Sequence, residues 1–146
     1  LDDPAFAGKA KKEREGVKKV LLCSGKVAWE LMDRRDKLAK KDIAVVRLEQ
    51  LYPLHASALK QVLASYSRAS EFVWVQEEPR NMGAYIFMSD QLAQAGLVKE
   101  LAYVGREASA TPAVGSKHIH IDEQQAILAE AVGALPAAAG TAKAKH

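Results

Sequence analysis

The chain has a single cysteine, Cys23, in 146 residues. That excludes an intramolecular disulfide and any metal site built on several cysteines, and it suits a reducing compartment. No stretch is long and apolar enough to span a membrane, and the first residues lack the apolar core of a secretory signal. A cytoplasmic location is expected. The folded part also lacks a charge imbalance. The pI of about 9.0 comes from the ends. Lys9 to Lys19 holds six basic and two acidic residues, and the far end adds Lys143 and Lys145. Between Val20 and Pro136 there are 13 basic and 14 acidic residues. A nucleic-acid binder should carry its charge on a structured face, so no nucleic-acid partner is expected.

What is present is an alternation of short apolar runs with helical patterns. Residues 1–17 read as an irregular lead-in or linker, 18–135 as one domain, and 136–146 as a flexible tail. "KKVLLC" (Lys18 to Cys23) reads as a strand. A helix is expected from Val27 to about Lys40, with i,i+4 pairs Glu30–Arg34, Asp33–Lys37 and Asp36–Lys40. "IAVVRLEQL" (Ile43 to Leu51) reads as a second strand, β-branched at its centre. Leu59, Val62, Leu63 and Tyr66 then fall at helical spacing. "EFVWVQ" (Glu71 to Gln76) is a third strand. Asn81 is positioned to cap a helix bearing Tyr85, Met88 and Leu92 on one face. "ELAYVG" (Glu100 to Gly105) is a fourth strand. A loop with Pro112 and Gly115 leads to a last helix, roughly Ile121 to Ala134. Continuous apolar strands alternating with helices imply an α/β fold, a mostly parallel sheet covered on both faces.

In such a sheet the C-terminal strand ends share one rim, where ligands of open α/β folds bind. "SGK", "RLEQ", "QEEP" and "GRE" should gather there. Ser24, Lys26, Arg47, Gln76 and Arg106 form a candidate anion site, assisted by amides at the helix start after Gly25. Each also has a plainer reading: a strand-to-helix turn at Gly25, and ion pairs with rim carboxylates for the arginines. "CSGKV" is not a P-loop, because the full phosphate-loop pattern is absent. Glu77 and Glu78 are adjacent and so point to opposite faces of an extended segment, which argues against a catalytic pair. The four histidines, His55, His118, His120 and His146, lack zinc-enzyme spacing, and His118 and His120 suit loop or cap positions. Cys23 reads as a buried inert thiol, and Trp29 and Trp74 as core.

Together "LLCSGKV", "AVVRLEQLYPL", "VWVQEEPRNMGAY" and "YVGREASATPAVG" resemble the C-terminal domain of the thiamine-dependent first component of the 2-oxoglutarate dehydrogenase complex. The resemblance covers roughly Lys18 to Gly133. "RLEQLYP" and "QEEPRNMGA" are its most specific parts. The chain departs from it at "VAWEL", where two tyrosines are common, at Glu107, where proline is common, and near Ser116, where an aromatic is common. The resemblance implies a transketolase-like three-layer α/β/α sandwich. Relatives also carry an antiparallel edge strand, which here must come from the lead-in or lie outside the chain. It implies a longer parent enzyme that uses thiamine diphosphate and magnesium, decarboxylates 2-oxoglutarate, and succinylates the lipoyl group of a succinyltransferase component. The GDG…N motif for that cofactor does not occur here, so no catalytic residue is expected and the segment alone should be inactive. Homodimers are the family habit. An interface role is therefore expected for the corner made by Glu77, Glu78, Asn81 and Gly83, and AMP or acetyl-CoA is the expected effector at the rim. The alternative is a free-standing adenine-nucleotide or CoA-binding module without catalysis.

Overall fold

A computed structural model describes residues 1–110 and 117–136. The expected loop at Pro112 and Gly115, the departure near Ser116, and all but the first residue of the expected tail lie outside the described residues. Four strands form one sheet: β1 (Lys19–Cys23), β2 (Ile43–Arg47), β3 (Glu71–Pro79) and β4 (Ala102–Arg106). Their order is β2-β1-β3-β4, and every neighbouring pair is parallel. Helices α2 (Val27–Lys37), α3 (Ala56–Ser65), α4 (Tyr85–Gln94) and α5 (Lys117–Ala131) connect or follow the strands.

The alternation along each strand builds two cores. Leu21, Cys23, Val45, Val73 and Val75 face α2 and α5, where Leu31, Ile127 and Leu128 meet them. Val20, Leu22, Val46 and Trp74 face α3 and α4, where Leu63, Met88 and Leu92 meet them. This is the expected three-layer α/β/α sandwich. Its central strands are apolar on both faces because helices cover both.

The lead-in differs most from expectation. Residues 1–17 contain a 3-10 turn, Pro4–Phe6, and a short helix α1, Lys11–Glu15. Phe6 and Val17 are buried in the α3/α4-side core. Asp3 is fully buried, ion-paired to Arg35, and accepts 2.6 Å from the Val45 amide of edge strand β2. Leu1 exchanges both backbone hydrogen bonds with Arg47, at 2.5 and 3.0 Å. That exchange is the narrow pair of an antiparallel ladder. The lead-in thus supplies one antiparallel residue pair at this edge, but no antiparallel strand forms among the described residues. Asp2 accepts from Arg14 at 2.8 Å and from the Tyr66 hydroxyl at 2.5 Å, tying α1 to α3. Burial would raise the Asp2 carboxyl, but these hydrogen bonds outweigh it and hold it below its ordinary range. Burial, reinforced by Asp2, pushes the Tyr66 phenol up.

Several element ends also shift. Helix α2 stops at Lys37, not Lys40, because the chain forms a Schellman turn. The Lys40 amide donates to Arg35 and the Ala39 amide to Asp36, with Ala39 at φ +50°. Strand β2 ends at Arg47 rather than Leu51, ahead of the cis peptide Tyr52–Pro53. Strand β3 runs on to Pro79, past a register shift against β4, which itself starts and ends one or two residues late. Helix α5 begins at Lys117, so His118 and His120 are helical rather than in a loop. Of the expected helix pairs, Asp33–Lys37 forms at 2.7 Å. Glu30 instead meets Lys26 and Gln124, Arg34 meets Gln125 and the Gly133 carbonyl, and Asp36 meets Arg35.

Candidate functional site

The parallel topology brings the strand ends to one rim, as the sequence implies, and pleating then divides the rim. On the α2/α5 side stand Lys26, Arg47, Glu77 and Arg106. Lys26 Nζ contacts Glu77 Oε1 at 2.6 Å and Glu30 Oε1 at 3.3 Å. The Glu77 hydrogen bond, the largest influence, raises the Lys26 ammonium above its ordinary value. Arg47 pairs with Glu49 at 2.7 Å and lies 4.8 Å over the ring of Trp29. Trp29 is therefore not a core residue; it is 57% exposed and serves as a platform for the guanidinium. Arg106 pairs with Glu123 at 2.7 Å, and its Nη2 lies 2.8 Å from His120 Nδ1. The arginine can only donate, so Nδ1 is the acceptor. Gln124 gives its amide to Glu30, while its own Oε1 is buried without a partner among the described residues.

Ser24 and Gln76 are on the other side of the rim, in a cleft of about 340 Å³ with Leu51, Glu78, Gly83 and Phe87. Gln76 is buried, and its amide is fully used. Its Oε1 accepts from Trp74 Nε1 at 2.9 Å and from the amides of Ala84 and Tyr85 at 3.2 and 3.0 Å. Its Nε2 donates to the carbonyls of Glu78, Pro79 and Met82. Gln76 thus satisfies the exposed amides at the start of α4, the task the sequence assigned to Asn81. Asn81 instead exchanges two hydrogen bonds with the Ser109 backbone, at 2.9 and 3.0 Å. Gly83, at φ +65°, lets the chain pass the Gln76 amide, which a Cβ would meet at 3.0 Å. The close approach lies inside the domain. Of the two corner glutamates, Glu77 pairs with Lys26, while Glu78 is exposed and without an ion pair among the described residues.

Large apolar side chains are exposed beside this corner. Tyr52 is 78% and Ile86 64% exposed, and Tyr52 meets Phe87 edge to face at 6.3 Å between centroids. Trp74, by contrast, is fully buried, as expected of core.

The rim is equipped to hold charge, not to move protons. Cys23 is buried, and burial pushes its thiol up to about 12, so it is no thiolate at neutral pH. Among the described residues no three His, Cys, Asp or Glu side chains cluster to ligate a metal. No described helix is long and apolar enough to cross a membrane.

The family described as "2-oxoglutarate dehydrogenase C-terminal" matches residues 1–132. The chain belongs to that family. The family match includes the lead-in, which packs as part of the fold. Among the relatives, the 2-oxoglutarate dehydrogenase E1 component of Rickettsia felis is 45% identical over 127 residues, 84% of this chain and 13% of the relative. The E1 component of Azotobacter vinelandii is 40% identical over 119 residues, 79% of this chain and 13% of the relative. That of Haemophilus influenzae is 39% identical over 118 residues, 80% of this chain and 12% of the relative. The chain thus spans about an eighth of the length of these relatives.

Proposed function

We propose that this domain is the C-terminal structural and regulatory part of a 2-oxoglutarate dehydrogenase E1 enzyme. The carrying observation is the family match over residues 1–132 in a chain that spans 13% of such a relative. The parent would decarboxylate 2-oxoglutarate on thiamine diphosphate and magnesium held by its preceding domains, then succinylate a lipoyl-bearing succinyltransferase. The purified chain, given thiamine diphosphate, magnesium and 2-oxoglutarate, should release no carbon dioxide. Turnover above a heat-killed control would overturn the assignment of catalysis to other domains. The names of the relatives above give no support to a free-standing nucleotide module.

Two finer roles belong to the same reading. The rim would bind an anionic effector such as AMP or acetyl-CoA on its α2/α5 side. Lys26, Arg47 and Arg106 support this, as does the start of α2, which has no side-chain capping bond. A ligand there must displace Glu77, Glu49 and Glu123 from their cations, so binding should release carboxylates and weaken with salt. Calorimetry with each ligand tests it: binding that survives Arg47→Ala with Arg106→Ala removes the site. The exposed Tyr52, Ile86 and Phe87 would contact the rest of the homodimeric parent, with Glu78 at the margin. Ile86→Asp with Phe87→Asp should loosen the parent dimer, measured by sedimentation. An unchanged dimer refutes that role.

A further inference from the structure

A cleft lies at the opposite end of the sheet from the rim, before the first residues of β1 and β2. It has a volume of about 570 Å³ and is lined on one side by Lys9, Lys12 and Glu13, and on the other by Arg35, Asp36, Ala39, Lys40, Lys41 and Asp42. Ala5 and Phe6 contribute an apolar part of the lining. We infer that this cleft is a docking groove for an acidic peptide segment of another protein, one that carries an apolar side chain between its carboxylates.

Three observations support it. First, the charge is available. Arg35 is committed to Asp3 and Asp36, and Lys9 to Glu13. Lys12, Lys40 and Lys41 make no ion pair among the described residues, and all three are exposed. Second, the walls are fixed. The buried Asp3–Arg35 pair joins the lead-in to α2, and the Asp3 carboxylate also holds β2. The second wall turns through Ala39 at φ +50°. Left-handed backbone is unfavourable for alanine, and the turn places two lysines in succession at the cleft. Third, the cations are all free ammoniums, with no unpaired guanidinium fork. Lysines are hydrated point charges and do not grip one phosphate bidentately. With Lys9 and Arg35 paired, three free ammoniums face one unpaired carboxylate, Asp42, among the described residues, so the cleft stays net basic. Ammoniums on both sides of an apolar strip suit carboxylates spaced along a chain, with one apolar side chain against Ala5 and Phe6. The rim site proposed above plays no part in this argument.

The test uses the whole 146-residue chain. A fluorescent peptide of glutamates flanking a central Leu-Phe pair is titrated by anisotropy, and its contacts are mapped by amide shifts. We expect shifts over residues 9–16 and 39–42, binding that weakens with salt, and a loss of about tenfold or more in affinity for Lys12→Glu with Lys40→Glu and Lys41→Glu. A glutamate peptide lacking the Leu-Phe pair should bind more weakly. Equal binding to the triple variant, or shifts confined to the rim, would overturn the proposal. So would ADP shifting these amides where the peptide does not, because the occupant would then be a small phosphate. Circular dichroism of the triple variant should match that of the parent chain, since all three side chains are exposed.

Discussion

The rim and the lead-in handle charge in opposite ways. At the rim, Lys26, Arg47 and Arg106 meet Glu77, Glu49 and Glu123, all in pairs with at least one partly exposed member. Around the lead-in, Asp3 and Arg35 are buried together, and Asp2 joins Arg14 to Tyr66. Exposed pairs contribute little to stability, whereas a buried charge that loses its partner is costly. The residues that look functional in the sequence therefore sit where little folding energy is stored. The residues that look like a solvated leader sit where much of it is. That division suits a rim free to exchange partners on a scaffold that must not move.

The comparison breaks most readily at Asp3. Asp3→Ala strips Arg35 of its buried partner, leaving it only the exposed Asp36, and strands the Val45 amide; denaturant unfolding should show a loss of about 3–5 kcal/mol. A loss below about 1 kcal/mol would mean that the lead-in is held by apolar contacts alone. Next comes Gln76, the one rim residue that behaves like the lead-in. Gln76→Leu strands Trp74 Nε1 and the first amides of α4, and should cost about 2–3 kcal/mol by the same measurement. Asp2→Asn should cost about 1.5 kcal/mol at neutral pH. Its sign follows from the lowered folded-state carboxyl. The stabilisation is complete above the unfolded value, near about 3.9, and is lost as pH falls through the lower folded value. The gap between variant and parent chain should therefore close in acid; a gap independent of pH would exclude the carboxylate as its source. Lys26→Met should change stability least, by about 0.5 kcal/mol or less. A loss comparable to that of Gln76→Leu would place the rim pairs in the scaffold after all.

Much of the fold was legible because its signals are local. The apolar runs around Leu21, Val45 and Val73 show sheet strands without any knowledge of their neighbours, and the charged residues that end them point to a shared rim. What escaped was long-range. Asp3 reads as a turn residue before Pro4, yet its partners are 32 and 42 residues away. Asn81 carries a good capping signal, but α4 starts four residues later, and Gln76 reaches those amides from the preceding strand. The rim set was read as one group. Pleating puts Gln76 and Ser24 on one side and the three cations on the other, a split that depends on which core each strand position faces. Trp29 was misplaced because its helix position looked apolar, while the structure uses it beneath Arg47.

The contact of Leu1 and Asp3 with β2 also governs how the chain behaves toward other copies of itself. Strand β2 is one of the sheet's two outer strands, and these two residues occupy its Val45 and Arg47 amides. If the lead-in detaches, or a protease cuts at the exposed Lys9–Lys12 run, the apolar segment Ile43–Val46 presents an unpaired template to any extended chain. Strand exchange between molecules and fibrillar aggregation then become available to a domain that otherwise has that edge covered. Leu1 and Asp3 thus cover that edge, and the exposed run of lysines behind them is where the cover is easiest to remove.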